Sequence, residues 1–139
     1  MAEALLRDRA AAAGAQLETW SRGTAARVGD PASPAAIRVL AEIGIDLSAH
    51  QSAPVSDEDI DLAHHVLVME KAHASWLREH HPKVGERLLL FGWLAGVEEI
   101  DDPYGAWFDR TYCKTRDLLD RGVLNWLARA TPSPLDAKA

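Results

Sequence analysis

The sequence is poor in cysteine, holding only Cys113 among 139 residues. One cysteine excludes an intrachain disulfide framework and fits a reducing cytoplasm. Long apolar runs are also missing. No segment approaches the about 20 residues of a membrane helix, and the N-terminus lacks a signal peptide's basic start and apolar stretch. An excess of basic charge is absent as well: 15 basic residues stand against 21 acidic ones, a formal charge of -6. That balance argues against a nucleic-acid-binding face. There is no internal repeat and no low-complexity block.

What is there suits one folded domain over 1–130, with 131–139 expected as a flexible tail carrying two prolines. The apolar fraction of 47% and charged fraction of 26% allow an ordinary buried core. Ala2 to about Ala13 is rich in strong helix formers, and Gly14 stands where a helix ends. Gln16–Trp20 reads as a short strand, followed by a turn at Ser21-Arg22-Gly23-Thr24. Ala36, Ile37, Leu40 and Ile43 recur at helical spacing up to Gly44.

Ser56 with Asp59 reads as a cap opening a short helix towards Leu62. His65–Met69 is an apolar run with the β-branched character of a buried parallel strand. A helix over about Ala72–His80 stops before Pro82, and Arg87–Phe91 is a further strand candidate. The last helix, about Ala106–Arg129, carries Tyr112, Leu119, Val123, Trp126 and Leu127 on one stripe. The five Trp residues read as core or rim packing. Strands alternating with helices predict an α/β fold with a mostly parallel sheet.

One element is missing from that pattern. In a doubly wound sheet the first strand lies at the centre, with its carboxyl end facing the ligand crevice. This chain opens with a helix, so no segment of it is a candidate for that strand. Without it, backbone groups in mid-sheet would stand unpaired.

Several motifs resemble those of low-molecular-weight protein tyrosine phosphatases. Met1-Ala2-Glu3-Ala4-Leu5-Leu6 is similar to the end of that family's signature, a strand closing in Cys-x5-Arg-Ser/Thr, usually followed by Pro, an apolar residue, Ala and Glu. Ser21-Arg22-Gly23-Thr24 resembles its Ser-Ala-Gly-Thr turn, with Arg22 replacing a small residue. Gly44-Ile45-Asp46-Leu47-Ser48-Ala49-His50 resembles Gly-Ile-Asp-x-Ser-x-His. Val66-Leu67-Val68-Met69-Glu70 resembles the strand and turn written Ile-Leu-x-Met-Asp/Glu. Asp102-Pro103-Tyr104-Gly105 matches the family's acid loop. These five stand in the family's order.

The resemblance implies a three-layer α/β fold, phosphotyrosine phosphatase I-like, with the first central strand missing here. It implies a cytoplasmic phosphomonoesterase without cofactor, acting on a phosphotyrosine protein or a small aryl phosphate once the active site is completed. In the family, backbone N–H groups at a helix N-terminus cradle the phosphate, a Cys thiolate attacks phosphorus, and an Arg holds the oxygens. Asp102 would be the general acid, protonating the phenolate and then serving as base to water. Pro103 would hold it in an extended conformation. Tyr104 would line the substrate pocket, and Ser21 and His50 would brace the phosphate loop.

The nucleophile and the Arg are not among these residues. Cys113 cannot replace them: position 119 is Leu119, not Arg, and a mid-helix cysteine reads as a small packed hydrophobe. The expectation is therefore a homologue represented without its N-terminal strand and phosphate loop, inactive alone. Two origins compete, an internal Met codon read as the start or a genuine truncation leaving a non-catalytic binding or regulatory module. DNA just upstream of Met1 would separate them. Related arsenate reductases use further cysteines, which this chain lacks. No metal site is expected, because the pairs His64-His65 and His80-His81 point their side chains in different directions.

Overall fold

The computed structural model describes residues 1–130, so the expected tail over 131–139 lies outside the described residues. The chain opens with α1 (Ala2–Ala12), whose Ala4, Leu5 and Ala10 are buried. Helix α2 (Pro34–Ala41) starts where Ser33 Oγ accepts the Ala36 N–H at 3.3 Å, with Pro34 in the first turn. The turn after it closes at Gly44, whose φ of 79° lets Ile45 N–H return to Leu40 C=O at 3.0 Å. Helix α3 (Asp57–Leu62) begins with the expected capping box of Ser56 and Asp59.

Strand β1 (Val66–Val68), helix α4 (Lys71–His80) and strand β2 (Leu88–Leu90) form a β-α-β unit. The strands pair in parallel, Val66 with Leu88 and Val68 with Leu90. A 3-10 turn, Pro82–Arg87, leads into β2, and another, Phe91–Ala95, follows it. The last helix, α5 (Asp109–Ala130), starts later than its sequence pattern predicts. Arg38 holds Asp109 by two bonds, of 3.0 and 2.7 Å, and so marks the start of α5. Before it, Ala106 N–H bonds Pro103 C=O in a turn.

The two faces of β1 separate two cores. Leu67 and Met69 pack with Leu5, Leu40, Phe91 and Val123 beneath α1, α2 and α5. Val66 and Val68 pack with Ile60, Leu77 and Val84 beneath α3 and α4. Alternation along a strand sends successive side chains to opposite faces, so one short apolar run serves both layers. The result is an α/β arrangement with a parallel sheet between helical layers. Tyr112, Leu119, Val123 and Leu127 are buried along α5, as their spacing predicts.

Two expectations fail here. Gln16–Trp20 is not a strand. It runs without helix, turn or bend, and its backbone bonds no other described residue. Strand propensity without an adjacent edge leaves the ladder unmade. Trp107 and Trp93 are not packing residues either, being 95% and 68% exposed.

Where a strand would join Gln16–Trp20 to β1, there is a cavity of about 960 Å³. Leu6 and Trp126 line it from one helical layer, Ile60 and Leu77 from the other. Residues 16–24 and 62–69 form its remaining walls.

Candidate active site

The turn after Trp20 is fixed from several directions. Gly23 N–H bonds Ala53 C=O at 3.0 Å, and Val55 N–H bonds Gly23 C=O at 3.2 Å. A side chain on Gly23 would bring its Cβ within 2.8 Å of Ala26 Cβ, so this close approach needs glycine. Arg22 lays its guanidinium fork on Asp59, at 3.1 Å from Nε and 2.9 Å from the terminal nitrogen. Asp59 feels burial, which opposes its charge. The bonds from Ser56 and Arg22 outweigh that and hold its pKa below the ordinary carboxylate value.

Ser21 and His50 converge on a residue to which the sequence reading gave no role. Ser21 Oγ donates to Glu3 Oε2 at 2.5 Å, and His50 Nδ1 stands 3.8 Å from the same oxygen. Arg7, one turn along α1, also bonds Glu3. Glu3 sits in the first turn of α1, where a carboxylate complements the helix dipole. That position was the available signal. The nearby Met1 ammonium has its pKa pushed down by burial, with Glu3 pulling the other way. Ser21, Gly23, His50 and Ser52 line a small cavity of about 200 Å³. Glu3 accepts the Ser21 O–H and the Arg7 guanidinium, so this cluster anchors a carboxylate in the first turn of α1.

The acid loop is tied to the carboxyl end of β1. Ile100, 2% exposed, donates its N–H to Met69 C=O at 3.0 Å. Glu99 Oε1 accepts the Lys71 N–H at 2.6 Å and so caps α4, which has no cap of its own. Past these anchors the chain emerges into solvent. Asp102 is exposed, and its Oδ1 accepts the Tyr104 N–H at 2.9 Å, an Asx turn over buried Pro103. Tyr104 is 80% exposed. Asp102 and Tyr104 line neither of the two cavities, whereas Ser21 lines both. The structure thus joins Ser21 with His50 and Asp102 with Tyr104, in separate groups.

Cys113 lies half-buried in α5 against the larger core, its Sγ 3.9 Å from Glu42 Oε2. His80 stacks on Trp76, and His81 Nδ1 meets Asp57 Oδ1 at 2.7 Å. Among the described residues no three His, Cys, Asp or Glu side chains gather as a metal site would require. No helix among them is long and apolar enough to cross a membrane.

The family model for low molecular weight phosphotyrosine protein phosphatase matches residues 1–134. The chain belongs to that family. Among phosphatases of this family, Wzb of Escherichia coli K12, a low molecular weight protein-tyrosine-phosphatase, is 34% identical over 114 residues. The match covers 80% of this chain and 75% of Wzb. The low molecular weight protein tyrosine phosphatase of T. tengcongensis superposes with a TM-score of 0.86 at 31% identity, covering 92% of this chain and 88% of that one. The YwlE arginine phosphatase of Geobacillus stearothermophilus follows the same fold, with a TM-score of 0.81 at 30% identity. That match covers 93% of this chain and 82% of YwlE. The expected α/β phosphatase fold is therefore the fold of this chain.

Proposed function

We propose that these 139 residues form the acid-loop side of a cytoplasmic protein tyrosine phosphatase, with Asp102 as its general acid. One observation carries the reading. The loop bearing Asp102 is bonded through Ile100 to Met69 at the carboxyl end of β1, the edge at which open α/β sheets bind ligands. The substrate in this reading is a phosphotyrosine protein or a small aryl phosphate, and Tyr104 offers an aromatic wall to it. A Cys-x5-Arg segment, which these residues do not contain, would supply the nucleophile and the oxygen-binding Arg. Asp102 then gives its proton to the phenolate oxygen as the P–O bond breaks. It next takes a proton from the water that attacks the cysteinyl phosphate. Ser21 and His50, now on Glu3, would turn to the phosphate loop.

The same lack of Cys and Arg supports a second reading, a phosphatase-like binding module. Saturable retention of a phosphotyrosine peptide without hydrolysis would favour it.

The chain as it stands should release no p-nitrophenol from p-nitrophenyl phosphate above a buffer blank. Release that Asp102→Ala abolishes would overturn that expectation. With a strand and Cys-x5-Arg loop joined ahead of Met1, turnover should appear. Asp102→Asn should then lower kcat on phenyl phosphate by about 10²–10⁴-fold, and by less on an ester with a better leaving group. Equal losses on both esters would remove Asp102 as proton donor. Turnover of phosphoarginine in place of phosphotyrosine would shift the substrate class.

A further inference from the structure

We infer that Trp107 and Phe108, with Asp101, form a docking surface for an arginine that flanks the phosphotyrosine of a polypeptide substrate. The substrate class is that of the phosphatase reading, on which this proposal rests. What is added is the residue type selected beside the phosphorylated side chain.

The first observation is aromatic exposure on an anchored loop. Trp107 is 95% exposed, Tyr104 80% and Phe108 77%. The segment that bears them is tied at both ends. Ile100 N–H bonds Met69 C=O at its start, while at its close Thr111 N–H bonds Phe108 C=O at 3.1 Å and the Arg38 fork holds Asp109. Between these anchors Ala106 N–H closes a turn onto Pro103 C=O at 3.0 Å. Large aromatic residues carry about 150–250 Å² each, so three at these exposures present roughly 400–500 Å² to water. Apolar area of that extent, carried by residues 104–108, is in the range that marks interaction sites. Tyr104 stands two residues from Asp102 and serves the reacting ring. Trp107 and Phe108 lie past the turn, beside the start of α5, and are left for the residues that flank that ring.

The second observation is charge. From Glu98 to Asp109 the chain carries five acids, Glu98, Glu99, Asp101, Asp102 and Asp109, and no base. Lys71 pairs with Glu98 and Arg38 with Asp109. With Arg110, the next base along the chain, five acids meet three bases and a charge of -2 remains. Asp101 is exposed and has no ionic partner among the described residues. A cation is the complement to such a loop. A guanidinium stacks its plane on an indole while its N–H fork reaches a carboxylate, whereas an ammonium holds its water more tightly. An anionic lipid surface would be repelled by the same acids. Five chain steps folded back by the turn put Trp107 on the order of 10 Å from Asp102, which an extended peptide covers in about three residues.

The test titrates the chain with phosphotyrosine peptides that carry Arg, Ala or Glu three residues to either side of the phosphotyrosine, with Ala elsewhere. The readout is the indole Nε1–H signal of Trp107, identified by its loss in Trp107→Ala. It should shift saturably with an Arg peptide. Ala in place of Arg should weaken binding about fivefold, and Glu further. Asp101→Asn should narrow the difference between Arg and Ala. In the chain completed with its strand and Cys-x5-Arg loop, Trp107→Ala should raise KM for the Arg peptide. Its kcat/KM should then fall about fivefold more than that for phenyl phosphate. Turnover of phenyl phosphate and its loss in Asp102→Asn judge the phosphatase reading, whereas the ratio of Arg to Ala peptides judges the docking. The titration needs no turnover, so the two can fail separately. An unmoved indole signal, equal affinity for the Arg and Ala peptides, or equal losses on peptide and ester would each overturn the inference. So would a dimer that Trp107→Ala disperses in sedimentation, or a Trp107-dependent blue shift of emission with phosphatidylglycerol vesicles. A second copy or a lipid surface would then be the occupant.

Discussion

Glu99 caps the helix that leaves β1: its Oε1 takes the Lys71 N–H at 2.6 Å. The backbone bond from Ile100 to Met69 lies beside it. Together they hold the base of the Asp102 loop to the end of the sheet while the loop itself stays exposed. Glu99→Ala should remove the cap at a cost of about 1 kcal/mol, within the range for helix N-caps. Melting should fall by about 3–5 °C for a domain of this size. Exchange of the Lys71 amide should quicken, and an unchanged rate there would show that the contact is idle.

A second prediction concerns the packing of α5 on the turn after β2. A Cβ on Gly122 would come within 2.4 Å of Phe91 Cε1, and Phe91 is 2% exposed. Gly122→Ala gains about 1 kcal/mol of helix propensity, but overpacking a buried aromatic costs about 1–3 kcal/mol. The net effect should be destabilisation, read as an earlier urea midpoint at unchanged slope. Adding Phe91→Leu should recover part of the loss, so the double variant distinguishes a steric clash from a general loss of helix.

The third is a matter of acid stability. Asp46, Asp59 and Asp109 all have pKa values below the ordinary 3.8. Ser48 hydrogen bonds hold Asp46 down, and the Arg38 fork does the same for Asp109. For Asp59, burial works against the bonds from Ser56 and Arg22, which prevail. A carboxylate whose folded pKa is lowered binds fewer protons folded than unfolded, so its stabilising effect is full above about pH 4 and fades as the pH falls. Denaturant midpoints measured from pH 5 down to pH 2 should fall steadily. Asp59→Asn should flatten part of that slope, and an unaltered slope would contradict the assignment.

The fourth isolates the Ser21–Glu3 contact. A hydrogen bond to a charged acceptor contributes about 1.5–3 kcal/mol, reduced where solvent reaches it. Ser21→Ala and Glu3→Gln should each destabilise, and the double variant should cost less than their sum by about 1 kcal/mol. Strict additivity would mean that the two residues do not interact in solution.

Much of the chain was legible because its signals are local. Ser56 and Asp59 form a capping box within four residues, and Pro34 and Gly44 bracket α2 by their own conformational limits. The apolar run at Val66–Val68 sits between helices, so its parallel pairing follows from the alternation of elements. Gln16–Trp20 misled because strand composition states a preference, and a strand exists only when an edge stands beside it. The exposure of Trp93 and Trp107 was equally hidden, since a tryptophan's burial depends on which surface its backbone faces. Glu3 went unassigned because the residues that meet it, Ser21 and His50, come from two later turns.

The sequence by itself determined where helices start and stop, which strands are apolar on both faces, and, through five motifs in order, the phosphatase family. The helix ends and strand faces are matters of dihedral limits, capping and periodicity, settled within a turn or two of chain, whereas the family came from the likeness of its motifs. Only the tertiary structure decided that Ser21 and His50 share Glu3 and that Glu99 caps α4. Arg9 reaches Asp120 across 111 positions, and Lys71 reaches Glu99 across 28. Such contacts form only after the layers have closed, because closure brings distant charges and backbone edges within bonding distance.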